Sequence, residues 1–235
     1  MRQGAHYHRM IQQYFLGIDS DRLSALIHDP DLERWWVAFM DLVEGQSTRQ
    51  LFDKATTRFP EVTLTASLVG ARLVAKCDLI LVGEAGKVMI FDWKTSQKRP
   101  RRSWLAARLQ TRLYPYLLVR AGSHLNLSCS VDPEQVEMIY WFADFPDEPI
   151  NFKYRLSQYR ADENYLSGLI ATIKSLGPQQ FHLTENLEHC RFCVYRSLCN
   201  RGVEAGYYEQ NISDLERPDL LDDQIDFEQI AGIEF

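Results

Sequence analysis

Residues 59–68 (F-P-E-V-T-L-T-A-S-L) alternate apolar and polar side chains, the period-two pattern of a strand with one buried face. Gly70 marks a turn, and Arg72 to Ala75 lead into a second strand. Two short apolar runs follow, Leu79 to Val82 and Val88 to Phe91, with the hairpin residues Gly83-Glu84-Ala85-Gly86 between them. These segments predict a three-stranded meander. Val136 to Phe142 and Ile150 to Tyr154 predict two further strands, with Pro146 and Pro149 in the turn that joins them.

Elsewhere the apolar residues recur at helical spacing. Gly4 to Leu16 carries Met10, Ile11, Tyr14 and Phe15 on one face. Asp19-Ser20-Asp21 offers caps for a short helix to about His28, and Asp29-Pro30-Asp31 starts a third. That third helix, Leu32 to Glu44, sets Trp35, Trp36, Phe39, Met40 and Val43 on a face that reads as core, until Gly45-Gln46-Ser47-Thr48 ends it. Arg101 to Arg120 predicts one amphipathic helix, closed by Ala121-Gly122-Ser123. Ser157 to Leu176 predicts a long helix with Tyr165, Leu169, Ile170 and Ile173 as its buried stripe, stopped by Gly177-Pro178. The sum is an α/β (α+β) fold: a central mixed sheet of about five strands flanked by helices, then a cysteine-rich segment.

Chemistry concentrates where the second and third strands meet. Asp78 opens one apolar run, and Asp92 closes the next. Antiparallel pairing brings these acids together, and two adjacent carboxylates raise each other's pKa unless a cation lies between them. A hard divalent ion with oxygen ligands suits that arrangement. Lys94 follows Asp92 by two residues and projects to the same face of the strand. Alone, an Asp-x-Lys pair reads as a surface salt bridge. Here Gln110 and Tyr114 follow at i and i+4 on the next helix, one face for both.

In order, Gly4-Ala5-His6-Tyr7-His8, Asp78, D-W-K at 92–94 and Q-T-R-L-Y at 110–114 resemble the PD-(D/E)XK nuclease superfamily. The likeness is to its RecB-like branch, which includes the nuclease domains of RecB and AddB and RecB-like CRISPR-associated nucleases. The resemblance implies a restriction-endonuclease-like core. It makes His8, otherwise a polar-face or core histidine, a metal ligand together with Asp78, Asp92 and the backbone carbonyl of Trp93. One or two Mg²⁺ or Mn²⁺ ions would sit there, and an imidazole ligand favours manganese somewhat. Lys94 would position or help deprotonate the attacking water. Gln110 and Tyr114 would orient Lys94 and contact the substrate backbone. Glu61 matches a strand glutamate of the family and takes a supporting role.

The 235 residues are 46% hydrophobic and 25% charged, as in a globular domain. No apolar run approaches the ~20 residues of a membrane span, and no apolar stretch follows the first charges as in a signal peptide. These features, with cysteines clustered at one end, predict a cytoplasmic protein. The net charge of −6 is uneven: residues 204–235 hold ten acids and one base, leaving 25 bases and 22 acids in 1–203. Residues 1–203 are therefore expected to form the nuclease domain, and 204–235 an acidic tail. That tail is expected to be partly disordered, to bind a partner, or to cover the basic face as a nucleic-acid mimic. Lys98, Arg99, Arg101, Arg102, Arg108 and Arg112 cluster beside the acids as candidate DNA-phosphate contacts. Cations at a helix start oppose the macrodipole, which a bound anion would relieve.

Cys190, Cys193 and Cys199 form C-x2-C-x5-C, a spacing that can wrap zinc or an iron–sulfur cluster. The family resemblance favours a 4Fe–4S cluster, whose fourth cysteine precedes the first helix in relatives. Met1 stands three residues before Gly4, so that cysteine is missing here. A start site further upstream is the preferred explanation. Substitution by Cys77 or Cys129, or loss of the cluster, are the others.

The expected function is that of a metal-dependent deoxyribonuclease, exonucleolytic, in DNA repair, recombination or CRISPR-related processing. The alternative is an inactive DNA-binding or assembly subunit that keeps the fold. A zinc-binding structural protein is a third option. There is no G-x-x-x-x-G-K-S/T phosphate loop. Unwinding would fall to a helicase or another repair or CRISPR partner.

Overall fold

The computed structural model describes residues 2–45, 52, 55–83, 86–177, 180, 183–193 and 195–204. The acidic stretch from residue 205 onward, the hairpin residues Glu84 and Ala85, and Pro178 lie outside them. Helices α1 (Arg2–Phe15), α2 (Ser20–Ser24) and α3 (Pro30–Glu44) come first. The strands β1 (Ala55–Leu68), β2 (Ala71–Gly83) and β3 (Val88–Lys94) form the meander. Helices α4 (Arg102–Ala107) and α5 (Leu109–Ala121) cross to β4 (Val136–Phe142), which turns into β5 (Phe145–Lys153). Helix α6 (Leu156–Ser175) and the short α7 (Arg196–Cys199) follow.

The sheet order is β1-β2-β3-β4-β5, antiparallel except for the parallel pair β3 and β4. A parallel pair needs a long crossover, and α4 and α5 supply it. The sheet is thus mixed, five-stranded and covered on both faces. On one face α1 and α3 bury Tyr7, Met10, Ile11, Trp36 and Phe39 against Leu79, Phe91 and Trp93. On the other, α5 and α6 bury Tyr114, Leu117, Leu118, Leu166 and Ile170 against Ile80, Ile90, Met138 and Tyr140. No helix among the described residues is long and apolar enough to cross a membrane.

Capping follows the sequence. Asp29 accepts the N–H groups of Asp31 (3.0 Å) and Leu32 (3.1 Å), and Pro30 sits in the first turn of α3. Trp36 Nε1 then donates to Ser24 Oγ at 2.8 Å, fastening α3 to α2. Asp144, just after β4, accepts from Trp35 Nε1 (3.0 Å) and Arg34 Nη2 (2.7 Å), fastening α3 to the sheet.

Four expectations need correction. The helix expected over Arg101–Arg120 is two helices. Arg108 between them is extended (φ −65°, ψ 142°), and its N–H bonds Leu105 O. The Thr111 hydroxyl also donates to Leu105 O (2.5 Å), the carbonyl that a continuous helix would pair with residue 109. Pro146 and Pro149 lie inside β5, not in a turn. They survive there because β5 is an edge strand, and pairing jumps from Phe142–Phe145 to Tyr140–Ile150, leaving residues 146–149 off the ladder. The buried stripe of α6 is Asp162, Leu166 and Ile170, while Ile173 is exposed. Finally, β2 runs unbroken from Ala71, so Asp78 lies mid-strand.

Phe39 is fully buried and meets Tyr14, Phe15 and Trp93 edge-on. Phe39→Ala is expected to lower unfolding free energy by about 3–5 kcal/mol, measured by denaturant titration. A loss under about 1 kcal/mol would show that this face is not the rigid core described.

Candidate metal and catalytic site

Strands β1 and β2 change the faces they present at one point. Leu64, Leu68 and Val62 face α5 and α6, and so does Phe59, although alternation would turn it away. On β2 the same shift falls between Cys77 and Ile80, both on that face. Glu61 and Asp78 sit at the two shifts, and the register between Pro60–Leu79 and Val62–Cys77 sets them opposite each other. Glu61 adopts the left-handed backbone (φ 54°) that makes the shift. For a side chain with a Cβ that conformation costs about 1–2 kcal/mol. The result is a carboxylate pair turned to where α1 arrives.

Helix α1 buries Tyr7, Met10 and Ile11 and carries His8 at the edge of that face. His8 Nδ1 lies 3.3 Å from Asp78 Oδ1. One turn earlier, a Cβ on Gly4 would meet Thr95 Oγ1 at 3.1 Å, so a glycine lets α1 lie close to the end of β3. Asp78 Oδ2 accepts the backbone N–H of Trp93 at 2.9 Å. Ligand atoms of His8, Glu61 and Asp78 all lie within 4.8 Å of one another. An imidazole and two carboxylates in that space match the donor set of a divalent cation.

Asp92 continues the β2–β3 register directly across from Asp78, one step past the Leu79–Phe91 pair. It is buried and lies outside that ligand group. Lys94 Nζ is 2.7 Å from Asp92 Oδ2. Gln110 Nε2 donates to Asp92 Oδ1 at 2.5 Å, and Lys94 Nζ donates to Gln110 Oε1 at 3.4 Å. Asp92 Oδ2 is a buried oxygen whose close contact is the Lys94 ammonium. A hard cation fits an oxygen of that kind. Tyr114, one turn after Gln110, is buried, and Gln110 is half-buried. Beneath Lys94, the Tyr140 ring centroid lies 5.6 Å from the amine, and the Tyr140 hydroxyl meets Thr111 Oγ1 at 2.8 Å.

The two acids are driven in opposite directions. Burial pushes Asp78 up, but His8 and the Trp93 N–H outweigh it and hold the carboxyl below its usual value. Burial pushes Asp92 up, and Asp78 adds to it beyond what Lys94 removes, so Asp92 ends above its usual value. Burial lowers His8, yet Asp78 more than reverses it, and His8 is raised. Burial, then the Asp92 charge, keeps the Tyr114 phenol protonated well beyond neutral pH.

The basic residues disperse. Arg99 Nε bonds Glu148 O (3.0 Å), and Arg102 Nη1 bonds Asn151 O (2.6 Å), both on β5. Arg108 stacks 4.6 Å over Trp104. Arg112 turns to α6, 3.7 Å from Asp162 and 4.2 Å over the Tyr165 ring. Lys98 and Arg101 are exposed. The expected single patch is therefore spread between β5, α6 and solvent.

The three cysteines do not form a group whose sulfur atoms all lie within 4.8 Å of one another. Cys190 sits in a 3-10 turn (His189–Phe192) followed directly by Cys193, whereas Cys199 ends α7 and is exposed. Two consecutive turns, in contact with each other, carry the thiols. Among the described residues the ligand group of His8, Glu61 and Asp78 is the one that forms, and Cys77 and Cys129 join none.

A family model of the PD-(D/E)XK nuclease superfamily matches residues 2–200. The chain belongs to that superfamily. Among solved structures, this superfamily member is similar to a candidate exonuclease from Eubacterium rectale, at 9% identity and TM-score 0.52, covering 90% of this chain and 79% of that one. The crystal structure of SSO0001 aligns at 13% identity and TM-score 0.37, over 83% of this chain and 98% of that one. The first likeness supports the fold; the second carries no weight. A search of curated proteins found no match.

Glu61 was legible in the sequence as a supporting residue but not as a ligand. Its polar slot in an alternating strand looks ordinary until the register sets it opposite Asp78. Tyr140 and Thr111 gave no signal.

Gly4→Ala inside a helix ordinarily gains up to about 1 kcal/mol. Here the new Cβ meets Thr95, so the gain is expected to vanish and to reappear in a Thr95→Ala background. Denaturant midpoints of the double-mutant cycle check this. A full gain from Gly4→Ala alone would contradict the close approach of α1.

Proposed function

We propose that this superfamily member is a metal-dependent nuclease of the RecB-like branch that hydrolyses phosphodiester bonds of DNA, and that it acts as an exonuclease. The observation that carries the reading is the joining of two groups, each built on a buried carboxylate, at one strand pair: His8, Glu61 and Asp78 on one side, Asp92, Lys94 and Gln110 on the other. The order of Gly4 to His8, Asp78, the 92–94 triplet and Gln110 to Tyr114 supports the RecB-like branch. The family match over 2–200 supports residues 1–203 as the nuclease unit, with 204–235 appended.

When bound, Mg²⁺ or Mn²⁺ supplies a water of lowered pKa and positive charge for the scissile phosphate. His8, Glu61, Asp78 and Asp92 are the side chains of this chain that would hold it, with the Trp93 carbonyl beside them. Lys94 reaches the same place with its amine oriented by Asp92 and Gln110, and there it orients or deprotonates the attacking water. Tyr114 stays a neutral phenol and keeps Gln110 in line. An iron–sulfur cluster on Cys190, Cys193 and Cys199 is not part of this proposal. Repair, recombination and CRISPR-related processing in the cytoplasm, with a helicase supplying any unwinding, are the settings that the RecB-like reading suggests.

Cleavage of labelled single- and double-stranded DNA with Mn²⁺ is expected, and none with chelator. Lys94→Met should slow cleavage by roughly 10²–10⁴-fold, the span for a group positioned to move a proton, while Mn²⁺ binding by calorimetry persists. Asp78→Ala should remove both. Undiminished metal-dependent cleavage by Lys94→Met would refute the assignment.

A further inference from the structure

A groove of about 590 Å³ opens at the β5 edge of the sheet, lined by Arg102, Glu137, Asn151, Lys153, Arg155 and Gln158. Its charge is unbalanced. Glu137 is already engaged: Lys87 Nζ is 3.3 Å from its Oε2, and Asn151 Nδ2 donates to its Oε1 at 3.2 Å. Three cations remain. Arg102 is fixed in place, with one nitrogen on Asn151 O at 2.6 Å and its plane 4.3 Å over the Phe152 ring. A guanidinium held in this way keeps further donors free for a second acceptor. Lys153 ends β5 opposite Glu137, and Arg155 follows at the start of α6. Both are exposed, and neither has an acid partner in a salt bridge among the described residues.

We infer that this groove binds the sugar–phosphate backbone of a nucleic-acid strand, as a second site apart from the metal cluster. Its lining offers charged donors in place of the apolar walls of a small-molecule pocket, so it suits an extended anion rich in acceptor oxygens. Self-repulsion among three cations is relieved when phosphates lie between them. The position fits a strand that also reaches the site. Tyr140 pairs with Asp92 on one side and Ile150 on the other, and Glu137 lies three residues earlier in β4. At ~3.3 Å per residue and ~4.8 Å per strand, the groove's strands lie ~14 Å from Asp92 in the plane of the sheet, with Glu137 and Lys153 projecting from the face opposite Tyr140. A strand of several nucleotides passing round the β5 edge would span both places, and a dinucleotide, with its one phosphodiester at the metal site, would not. This inference rests on nucleic acid being the substrate class proposed above.

The test uses the full chain with Lys153→Gln and Arg155→Gln combined, both surface changes. Binding of a long single-stranded oligonucleotide is followed by fluorescence anisotropy between roughly 50 and 200 mM salt, with chelator present to prevent cleavage. The expected result is weaker binding and a log–log salt slope shallower by about 2, one per lost phosphate contact. Cleavage of a dinucleotide, too short to reach the groove, should be unchanged. An unaltered slope in the double variant, or no oligonucleotide binding by the unmodified protein, would overturn the inference. If the unmodified protein binds with the expected slope change but cleaves nothing, the nuclease reading fails and the groove stands. If it cleaves and the slope does not change, the reverse holds.

Discussion

Two carboxylates, Asp78 and Asp92, sit side by side in the buried middle of the sheet, and the surrounding structure is arranged to make that tolerable. At an effective dielectric of 20, like charges about 4 Å apart repel by about 4 kcal/mol. The chain answers each acid from a different layer. Asp78 receives His8 from α1 and an N–H from β3, while Asp92 receives Lys94 from its own strand and Gln110 from α5. The helices on both faces are therefore needed at the site as well as in the core. Removing one partner of a buried charged pair costs about 3–5 kcal/mol, so the docking of α1 and the stability of the site are energetically linked.

The same constraint explains the backbone at Glu61. Regular alternation from Val62 and Cys77 would put residues 61 and 78 on the α1 face, but carried further it would turn Phe59 and Ile80 off the α5–α6 core. The left-handed residue at 61 moves both strands by one step without breaking the register between them. The conformational cost falls on a glutamate, where a glycine would adopt the angle freely. The glutamate carboxylate has two partners a glycine would lack: it pairs with Lys76 Nζ at 2.6 Å and lies in reach of His8 and Asp78.

Much of the fold was legible because its signals are local. Alternation in residues 59–68, the apolar runs on either side of the 83–86 turn and the Asp29-Pro30 start each depend on neighbours in sequence. Asp78, Asp92, Lys94 and Gln110 were legible as a set through their order and spacing. What sequence could not show depends on contacts between distant residues. The break at Arg108 exists because Thr111 takes Leu105 O and is met by Tyr140, 29 positions away. Pro146 and Pro149 fit a strand only because that strand proves to be an edge. The stripe of α6 shifts because Asp162 turns inward to Tyr154 (3.0 Å) and Arg112.

The break at Arg108 is itself part of the site. A continuous helix would carry Leu105 and Gln110 on one rigid rod, and any adjustment in the packing of Leu105 would swing Gln110 off Asp92. With the break, α5 begins afresh at Leu109, and its first turn is set by Thr111 against Tyr140. Tyr140 pairs with Asp92 across the parallel strands and lies under Lys94. One hydroxyl pair thus fixes three things relative to each other: the helix that bears Gln110, the strand that bears Asp92, and the ring against which the Lys94 amine rests. Carboxylate, amide and amine keep their spacing because they share this one buried contact, which would supply the positional precision that the proposed proton transfer needs.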